Sequence, residues 1–557
     1  MVFRIFLCIF APKFLASEKS MEKNIFIKEA TMGAGSSFTE NGAVSYATTG
    51  KALIDQFGKA GTARARDIKT VWNEQAQLWS ENPEMALKFP FYLRMITRKP
   101  NLIGDKGEVE KVQRGQGARD EAFKRLLWIE RYHPDEFYRN LWLVPVVGSW
   151  KDLWVLLAMG ENLNNEEFFK VMAEGINDDN HRDLVKKYLP RIRSNSKCTT
   201  DWAKKSNELA KEFAQFAGWS YKDYREFKAT GKAHEFQQLI CRGLYANIEW
   251  NKIPGKALLN LVTGKFLGNH NLEREYVKWL EKQPVAKFNG YPFELGHKVG
   301  RHTMLSLAEK MTIDKQFKNL IETGKSDNGA IKGNVLCALD TSSSMEAPIK
   351  GANGITSYDV CISLGVYFSE LNTGTFHNVV AMFDDTSTIK KLHCEGFCDK
   401  ITEIAKERIA WGSTNFQSLI DLICDLRKNK AQIPLEDFPT TLLVVSDMQF
   451  NPTFGYRPSG ECTNADVLIS KLRRYFPDEW VDNFKVVWWY CAGRETSDVP
   501  ATMDHAGMYL ISGFDGSIIS LILGGEEKVN DRGEKLKPSM EDIVNDALNQ
   551  EVLQLVH

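Results

Sequence analysis

The feature that most constrains the fold is a change of pattern near residue 330. From there on, short and almost continuously apolar runs alternate with segments of helical periodicity. Such runs are typical of strands in a parallel sheet that is covered by helices on both faces. The sequence therefore predicts a doubly wound, Rossmann-like α/β domain. The predicted strands are 334–340, 378–384, 440–447, 484–493 and 507–513.

Residues 46–325 show a helical pattern with no strand-like run between the helices. Apolar residues recur at steps of three and four in segments such as 122–132, 166–176, 201–218 and 272–283, and the breaks contain Pro or Gly. Many short helices in succession predict stacked helix pairs, as in a HEAT-like α-solenoid. The sequence shows no exact repeat period, so the limits of individual repeats stay open.

These patterns divide the chain into four regions. Residues 1–45 are expected to form a flexible N-terminal arm, because the second half of this stretch is rich in Gly, Ser and Thr. The helical-repeat domain is expected over residues 46–325 and the α/β domain over residues 331–525. Residues 526–557 are expected to form a C-terminal linker and helix. The chain is thus a multidomain protein of α and α/β parts.

Charge is distributed unevenly, although the net charge of the whole chain is only −1. Residues 51–330 hold 46 lysines and arginines against 36 aspartates and glutamates, a net charge of +10. Residues 331–557 hold 20 against 32, a net charge of −12. The basic part suits a polyanion and the acidic part suits a cation. The alternative is that the two parts simply dock on each other.

Oxygen-bearing side chains cluster where the carboxyl ends of the predicted strands meet. One group directly follows the first strand, one residue lies in a loop that opens a helix, and one closes the strand at 440–447. Open α/β sheets place their ligands at this edge, and carboxylate and hydroxyl oxygens suit a hard cation of the Mg²⁺ type. The sequence therefore predicts one divalent cation surrounded by Asp340, Ser342, Ser344, Thr414 and Asp447.

This set of residues resembles the metal-ion-dependent adhesion site of von Willebrand factor A-type domains. In that family a DxSxS turn, a Thr and an Asp surround Mg²⁺ or Mn²⁺, and this sequence has the same elements in the same order. The resemblance covers about residues 331–525. It implies Mg²⁺ or Mn²⁺ as the cofactor, and it implies that a carboxylate of an acidic protein partner fills the last coordination position.

The helical region carries a second resemblance, on segments 40–61, 114–134, 140–157, 188–194 and 224–260. These segments are similar to the TROVE-type helical module of the Ro autoantigen. They are more similar still to the domain of unknown function 2828 family, which also joins such a module to an A-type domain. In Ro-type proteins the helical repeats form a ring, joined by the A domain, that holds single-stranded RNA ends and structured small RNA. The resemblance implies an RNA-binding ring, although the family's GRWDD-like segment reads GSWKD here.

Basic clusters in the helical region are the candidate RNA contacts, because neutralised phosphates supply most of the affinity for nucleic acid. The candidates are Lys124, Arg125, Lys186, Lys187, Arg191, Arg193, Lys197, Lys204 and Lys205, with Lys252 and Lys256 as a further pair. Tyr188 and Trp202 lie near enough in sequence to stack on unpaired bases. The alternative for each cluster is an ordinary solvated helix face.

Two functional hypotheses of different classes follow. The leading one is a monomeric, non-enzymatic RNA-binding scaffold that holds small non-coding or defective RNA and recruits a partner through its metal site. The alternative is a protein-interaction or assembly factor that binds an acidic partner at the metal site and does not touch RNA. No catalytic signature is visible in the sequence, and a nuclease is disfavoured because one predicted cation lacks the second metal typical of phosphodiester hydrolysis.

The sequence also favours a cytoplasmic location away from membranes. It has no run of about 18 apolar residues that could span a membrane. The apolar start is interrupted by Pro12 and Lys13, which argues against a cleaved signal peptide, and Met21 is an alternative start. The ten cysteines include no CxxC pair, and several lie within apolar runs, as expected in a reducing compartment.

Overall fold

The computed structural model describes residues 36–557, apart from 105, 111, 231–234, 302–303, 408–411, 454–461, 495–498, 504, 524–527, 530–534 and 537. The described chain is rich in helix, and a six-stranded, mostly parallel sheet lies in its C-terminal part. The predicted combination of an α-rich part and an α/β part is therefore confirmed.

Helices fill most of the chain between the N-terminal hairpin and the sheet. They are α1 (Ala52–Lys59), α2 (Ile68–Glu81), α3 (Pro83–Arg94), α4 (Arg119–Tyr132), α5 (Pro134–Arg139), α6 (Leu143–Val147), α7 (Trp150–Met159), α8 (Asn165–Asn177), α9 (Arg182–Tyr188), α10 (Asp201–Phe216), α11 (Tyr221–Ala229), α12 (Glu235–Cys241), α13 (Gly255–Thr263), α14 (Phe266–Asn269), α15 (Glu273–Glu281), α16 (Pro292–Arg301) and α17 (Leu307–Asn328).

Local sequence signals explain where several of these helices begin. The Asp67 carboxylate accepts hydrogen bonds from the backbone amides of Lys69 and Thr70 and so caps α2. Ser306 and Glu309 form a reciprocal capping box at the start of α17. Several of these helices pack on helices that are near them in sequence, such as α2 on α3 and α4. The predicted helical character of this region is thus confirmed.

The six strands of the sheet are β3 (Val335–Asp340), β4 (Val379–Phe383), β5 (Ser387–Lys391), β6 (Thr441–Ser446), β7 (Lys485–Tyr490) and β8 (Met508–Ser512). They lie in the order β5-β4-β3-β6-β7-β8. All neighbours are parallel except β4 and β5, which are antiparallel. The five strands predicted from apolar runs are confirmed.

Strand β5 was not among the predictions, because its sequence, STIKK, is polar and partly exposed. It lies at the edge of the sheet and pairs only with β4, so it has no need of a continuous apolar run.

Helices cover both faces of the sheet, and every residue of β3 and β6 is buried. They are α18 (Ser357–Leu371), α19 (Phe397–Glu407), α20 (Gln417–Asn429), α21 (Asn464–Tyr475), α22 (Asp478–Asn483) and α23 (Ile519–Leu523). Helix α18 packs on β3 and is buried along almost its whole length. This burial explains why its sequence is apolar on every side.

Residues of the helical region and of the sheet belong to one hydrophobic core. The two parts contact each other near the start and near the end of the helical region. Helix α1 packs on β8, where the Gly61 amide donates a 2.9 Å hydrogen bond to Ser512 Oγ. A side chain at Gly61 would collide with the Ser512 carbonyl, so the close approach requires glycine. At the other end of the helical region, α16 packs on α18, with Gly296 directly against Ser363.

The two ends of the described chain also pack on this core. The described part of the predicted N-terminal arm forms a hairpin of β1 (Ser36–Phe38) and β2 (Val44–Tyr46), and the rest of the arm lies outside the described residues. The hairpin continues one residue beyond the expected limit of the arm. Near the C-terminus, a short β9 (Lys528–Val529) and β10 (Lys535–Leu536) pair, and α24 (Met540–Leu548) and α25 (Glu551–Gln554) pack on α3.

Among the described residues, no helix combines the length and the apolar character needed to cross a membrane.

Candidate functional site

The candidate metal centre begins at Asp340, the last residue of β3. Parallel pairing sets Leu339 beside Val445, so β3 and β6 end at the same edge of the sheet. The Ser446 hydroxyl donates a 2.5 Å hydrogen bond to Asp340 Oδ2, and the Ser342 amide donates a 3.0 Å hydrogen bond to Oδ1. Both carboxylate oxygens are thereby oriented by the ends of two strands, and Asp340 is fully buried.

The serine turn connects Asp340 to Asp447. The hydroxyls of Ser342 and Ser344 lie 3.1 Å apart, and the Ser344 side chain also hydrogen-bonds to the Asp447 carboxylate. Asp447 follows β6 directly and is fully buried. The structure therefore brings together four of the five side chains that the sequence selected for a cation site.

Thr414, the fifth member of the set, lies in a loop that is held against the other members. The Ser343 amide donates to the Gly412 carbonyl at 3.1 Å, and the Asn451 amide donates to the Thr414 carbonyl at 2.9 Å. The Thr414 side chain is 1% exposed, and its hydroxyl has no hydrogen-bond partner among the residues that the structure describes. A buried hydroxyl without a partner is costly, so this oxygen fits a site whose ligand completes it.

The two carboxylates of the site destabilise each other's charge. Burial raises the pKa of Asp340 to about 7, and the negative charge of Asp447 adds to that rise. Burial also raises the pKa of Asp447, and the nearby positive charge of Arg494 opposes this shift. A divalent cation between the two groups would favour their ionised forms. The donor set of two carboxylates and three hydroxyls therefore fits Mg²⁺ or Mn²⁺.

Backbone geometry around Asp447 was not predicted from the sequence. Met448 has a φ of 60°, which lies in the left-handed region and is uncommon for a residue other than glycine. Its amide donates a 2.9 Å hydrogen bond to the Ser446 hydroxyl, which itself donates to Asp340. Strained residues of this kind cluster at functional sites, where surrounding contacts hold them in place.

Arg494 is the main residue of this site that sequence reasoning missed. Its guanidinium donates a 2.9 Å hydrogen bond to Asp447 Oδ2 and also pairs with Glu40, which lies in the turn of the N-terminal hairpin. The signal that could have revealed it is its position, since it follows β7, a neighbour of β6, at the same edge of the sheet. Nothing in the sequence indicates that Glu40 reaches this edge.

The described residues hold no cluster typical of zinc and similar metals. Among the described residues, no group of three or more His, Cys, Asp and Glu side chains is placed to hold a metal ion. The candidate centre contributes only two such residues and depends on hydroxyls for the rest. An all-oxygen donor set of this kind would suit a hard cation better than zinc.

Two of the predicted RNA contacts, Lys124 and Arg125, form internal ion pairs in the structure. Arg125 is fully buried and donates to Glu121 at 2.9 Å and to Glu74 at 3.0 Å. The Lys124 ammonium donates to Asp120 at 2.6 Å and to the Arg66 carbonyl at 2.5 Å. Asp120 and Glu121 precede Lys124 and Arg125 by four residues on α4, a spacing that the sequence shows, whereas the approach of Glu74 from α2 could not be read from it. A phosphate cannot reach the Arg125 guanidinium, which has no exposed surface.

Other predicted contacts meet in one large basic cavity. The cavity has a volume of about 1260 Å³ and lies between the ends of α7 and α9, the segment 189–197, α10, α11 and α12. Four predicted basic residues line it, and so do the two aromatic residues selected for stacking. These six are Lys187, Arg191, Arg193, Lys197, Tyr188 and Trp202. Trp202 is 46% exposed, so its ring is accessible.

The fold adds basic residues to the cavity that the sequence analysis did not select, namely Lys151, Arg225, Lys228 and Arg242. Among the described residues, no aspartate or glutamate lines the cavity, and none forms an ion pair with these eight basic side chains. Burial lowers the pKa of Lys228, and the neighbouring charge of Arg191 lowers it further, to about 8. The cavity is therefore a site of uncompensated positive charge.

The remaining candidates lie outside this cavity. Lys186 covers the Phe227 ring at 4.7 Å, and Lys204 lies 3.6 Å from Asp201. Lys205 is exposed on α10. Lys252 pairs with Glu249 at 2.7 Å, and Lys256 pairs with Glu294. These five residues are thus arranged as ordinary helix-surface or loop-surface charges.

Comparison with known proteins relates both parts of the chain to families. Residues 39–239 match the family described as Domain of unknown function (DUF2828), and residues 334–554 match the family described as Domain of unknown function (DUF7788). The chain is 22% identical over 533 residues to a protein of Acanthamoeba polyphaga mimivirus described as Uncharacterized protein L728, covering 89% of this chain and 86% of that relative. The expected likeness to the first family is confirmed, whereas these matches give the likeness to Ro-type proteins no support.

Proposed function

We propose that this protein is a non-enzymatic RNA-binding scaffold whose helical part holds single-stranded segments of small RNA in the basic cavity. The observation that carries the proposal is the lining of that cavity by eight basic side chains, the exposed ring of Trp202 and the partly buried ring of Tyr188, with no acidic side chain among the described lining residues. Phosphates of a bound strand replace the missing counter-charges, and the release of condensed cations drives binding.

The aromatic residues favour unpaired rather than paired RNA. Trp202 lies in the first turn of α10 and Tyr188 ends α9, so their rings border the cavity from two directions. Bases of a single strand stack on such rings, whereas bases within a duplex are occupied by their neighbours. The Lys187 ammonium lies over the Tyr188 ring, 5.1 Å from the ring centre, so a positive charge covers one face of this ring.

A divalent cation in the α/β domain forms the second part of the proposal. Asp340, Ser342, Ser344, Thr414 and Asp447 would hold Mg²⁺ or Mn²⁺, as in von Willebrand factor A-type domains. The orphaned Thr414 hydroxyl and the mutual repulsion of the two buried carboxylates support this assignment. When bound, the ion supplies a positive centre to which an acidic protein partner can attach through a carboxylate.

The same proposal includes the architecture expected from the sequence, a helical-repeat solenoid closed into a ring by the α/β domain. Supporting this, α1 near the start of the helical region packs on β8, and α16 near its end packs on α18. Both ends of the helical region thus contact the same α/β part.

The nine described cysteines are all free, which supports a reducing compartment such as the cytoplasm.

The proposal is tested by RNA binding of matched charge-reversal variants. In Arg191→Glu/Arg193→Glu the reversals lie in the cavity, and in Lys204→Glu/Lys205→Glu the same charge change lies outside it. Fluorescence anisotropy with a labelled single-stranded RNA should show a loss of affinity of at least about tenfold for the cavity pair and a much smaller loss for the control pair. Equal losses would contradict the assignment to the cavity.

A second function, that of a protein-interaction factor without RNA, is favoured by the candidate metal centre alone. In that case the basic cavity binds an acidic protein segment. Purified parent protein that shows no retention of single-stranded RNA, together with metal-dependent capture of an acidic peptide, would support this second function.

A further inference from the structure

The N-terminal hairpin lies across the edge of the candidate metal centre. The Thr39 hydroxyl donates to the Phe450 carbonyl at 2.7 Å, and the Asn41 side-chain amide donates to the Gln449 carbonyl at 2.5 Å. The Glu40 amide donates to the Gln449 side chain at 2.6 Å. The hairpin turn is thus fixed to the loop that directly follows Asp447, which is why the Glu40 carboxylate reaches Arg494.

The Arg494 guanidinium pairs with two carboxylates that differ in solvent exposure. The Asp447 side chain has no exposed surface, whereas the Glu40 side chain is 64% exposed. The Arg494 backbone is itself fixed, since its amide donates a 3.0 Å hydrogen bond to the hydroxyl of the buried Tyr490. The guanidinium therefore lies at a set position between the candidate metal centre and the hairpin, 454 residues away in sequence from Glu40.

A divalent cation would have to share the Asp447 carboxylate with hydrogen-bond donors, since Oδ2 already accepts from the Arg494 guanidinium and Oδ1 from the Gln449 amide. A cation held by Asp340 and Asp447 would lie close to the positive charge of Arg494, and the repulsion between them would weaken binding. Glu40 offsets that repulsion because it neutralises the guanidinium and draws one of its donors away from Asp447. The charge on the hairpin would then favour the metal ion without contacting it.

We propose that Arg494 and Glu40 form a charge switch that sets the metal affinity of this site. The Arg494 guanidinium competes with a divalent cation for Asp447, and Glu40 weakens this competition. The inference rests on the proposed metal centre. It makes the N-terminal hairpin part of that centre, so that displacement of the hairpin lowers metal affinity.

The test is a titration with Mn²⁺, with free Mn²⁺ followed by electron paramagnetic resonance at fixed ionic strength. Arg494→Gln should bind Mn²⁺ about tenfold more tightly than the parent chain, and Glu40→Gln should bind it several-fold more weakly. The double variant should bind as Arg494→Gln does, because Glu40 acts through the guanidinium. Arg494→Lys, which keeps the charge, should resemble the parent.

Matched controls separate this effect from general changes in charge. Glu84→Gln removes a glutamate that is similarly exposed and is paired with Lys88 in α3, and Arg473→Gln removes an arginine paired with Asp478 and Asp482. Both should leave Mn²⁺ affinity unchanged. Circular dichroism of each variant establishes that it folds.

The outcomes distinguish the inference from the proposed metal centre on which it rests. Parent protein that binds no Mn²⁺ overturns the metal centre and the switch together. Parent protein that binds Mn²⁺ with an affinity unaffected by either substitution overturns the switch alone. A Glu40→Gln effect that persists in the Arg494→Gln background also overturns it, since Glu40 would then act on the ion directly.

Discussion

The side chain of Ser446 joins the ends of two parallel strands by donating a hydrogen bond to Asp340, 106 positions earlier in the sequence. This contact fixes the orientation of a buried carboxylate beside a second one, Asp447. Asp447 is paired with Arg494, whereas Asp340 forms no ion pair with any residue that the structure describes, and a buried charge is costly unless it is paired or binds a metal ion. The pair is therefore the strongest structural sign of a ligand in the α/β part.

Replacement of Asp340 tests the metal centre. Asp340→Ala should abolish Mg²⁺ uptake measured by titration calorimetry, since the site loses one of its two carboxylates. The sheet should remain folded, with a free energy of unfolding in metal-free buffer that changes by about 1 kcal/mol or less, because the substitution also removes repulsion with Asp447. Asp421→Ala, on the surface of α20, is the control. Undiminished Mg²⁺ uptake by Asp340→Ala would reject the centre.

The buried position of Arg125 predicts a role in stability rather than in binding. Arg125→Ala leaves Glu121 and Glu74 with an incompletely compensated charge, and Glu121 has no exposed surface. Such a loss should lower the free energy of unfolding by about 3–5 kcal/mol, as measured by urea denaturation. Lys124→Ala, at the more solvent-exposed edge of the same ion-pair network, should lower the free energy of unfolding by less. An RNA-binding defect in Arg125→Ala at unchanged stability would restore its original assignment.

Much of the fold could be predicted from the sequence, because apolar strands and amphipathic helices obey local periodicities. The ends of β3 and β6 were enough to select Asp340 and Asp447, since parallel strands expose their carboxyl ends at one edge. The Glu121–Arg125 pair is a local pattern, four residues apart on α4, but local patterns could not reveal the approach of Glu74, because that depends on how α2 packs on α4. The approach of Glu40 to Arg494 depends in the same way on a long-range fold.

The depressed pKa of Lys228 predicts a pH dependence of RNA binding. Burial and the charge of Arg191 lower this pKa to about 8, and a bound phosphate would raise it by stabilising the ammonium. Binding should therefore take up a proton, and affinity should fall as pH rises through 8, by less than about tenfold per pH unit. Anisotropy titrations between about pH 7 and pH 9 measure this fall. Lys228→Arg should flatten the profile, and an unchanged profile would show that another group titrates.

The accessible ring of Trp202 predicts a preference for unpaired bases. Trp202→Ala should weaken single-stranded RNA binding by about 1–3 kcal/mol and leave the weaker binding of duplex RNA nearly unchanged. Trp202→Phe should keep most of the affinity, because a stacking surface remains. The control is Phe216→Ala, another exposed aromatic of α10, which does not line the cavity. Equal losses for single-stranded and duplex RNA would argue against stacking.

The central claim, that uncompensated charge in one cavity binds single-stranded RNA, is tested most directly by the salt dependence of affinity. A strand that neutralises about four basic side chains should give a slope near −3 when the logarithm of the association constant is plotted against the logarithm of salt concentration. Arg191→Glu/Arg193→Glu should make that slope shallower, and Lys204→Glu/Lys205→Glu should not. A flat salt response, or an identical slope in all three proteins, would contradict the account.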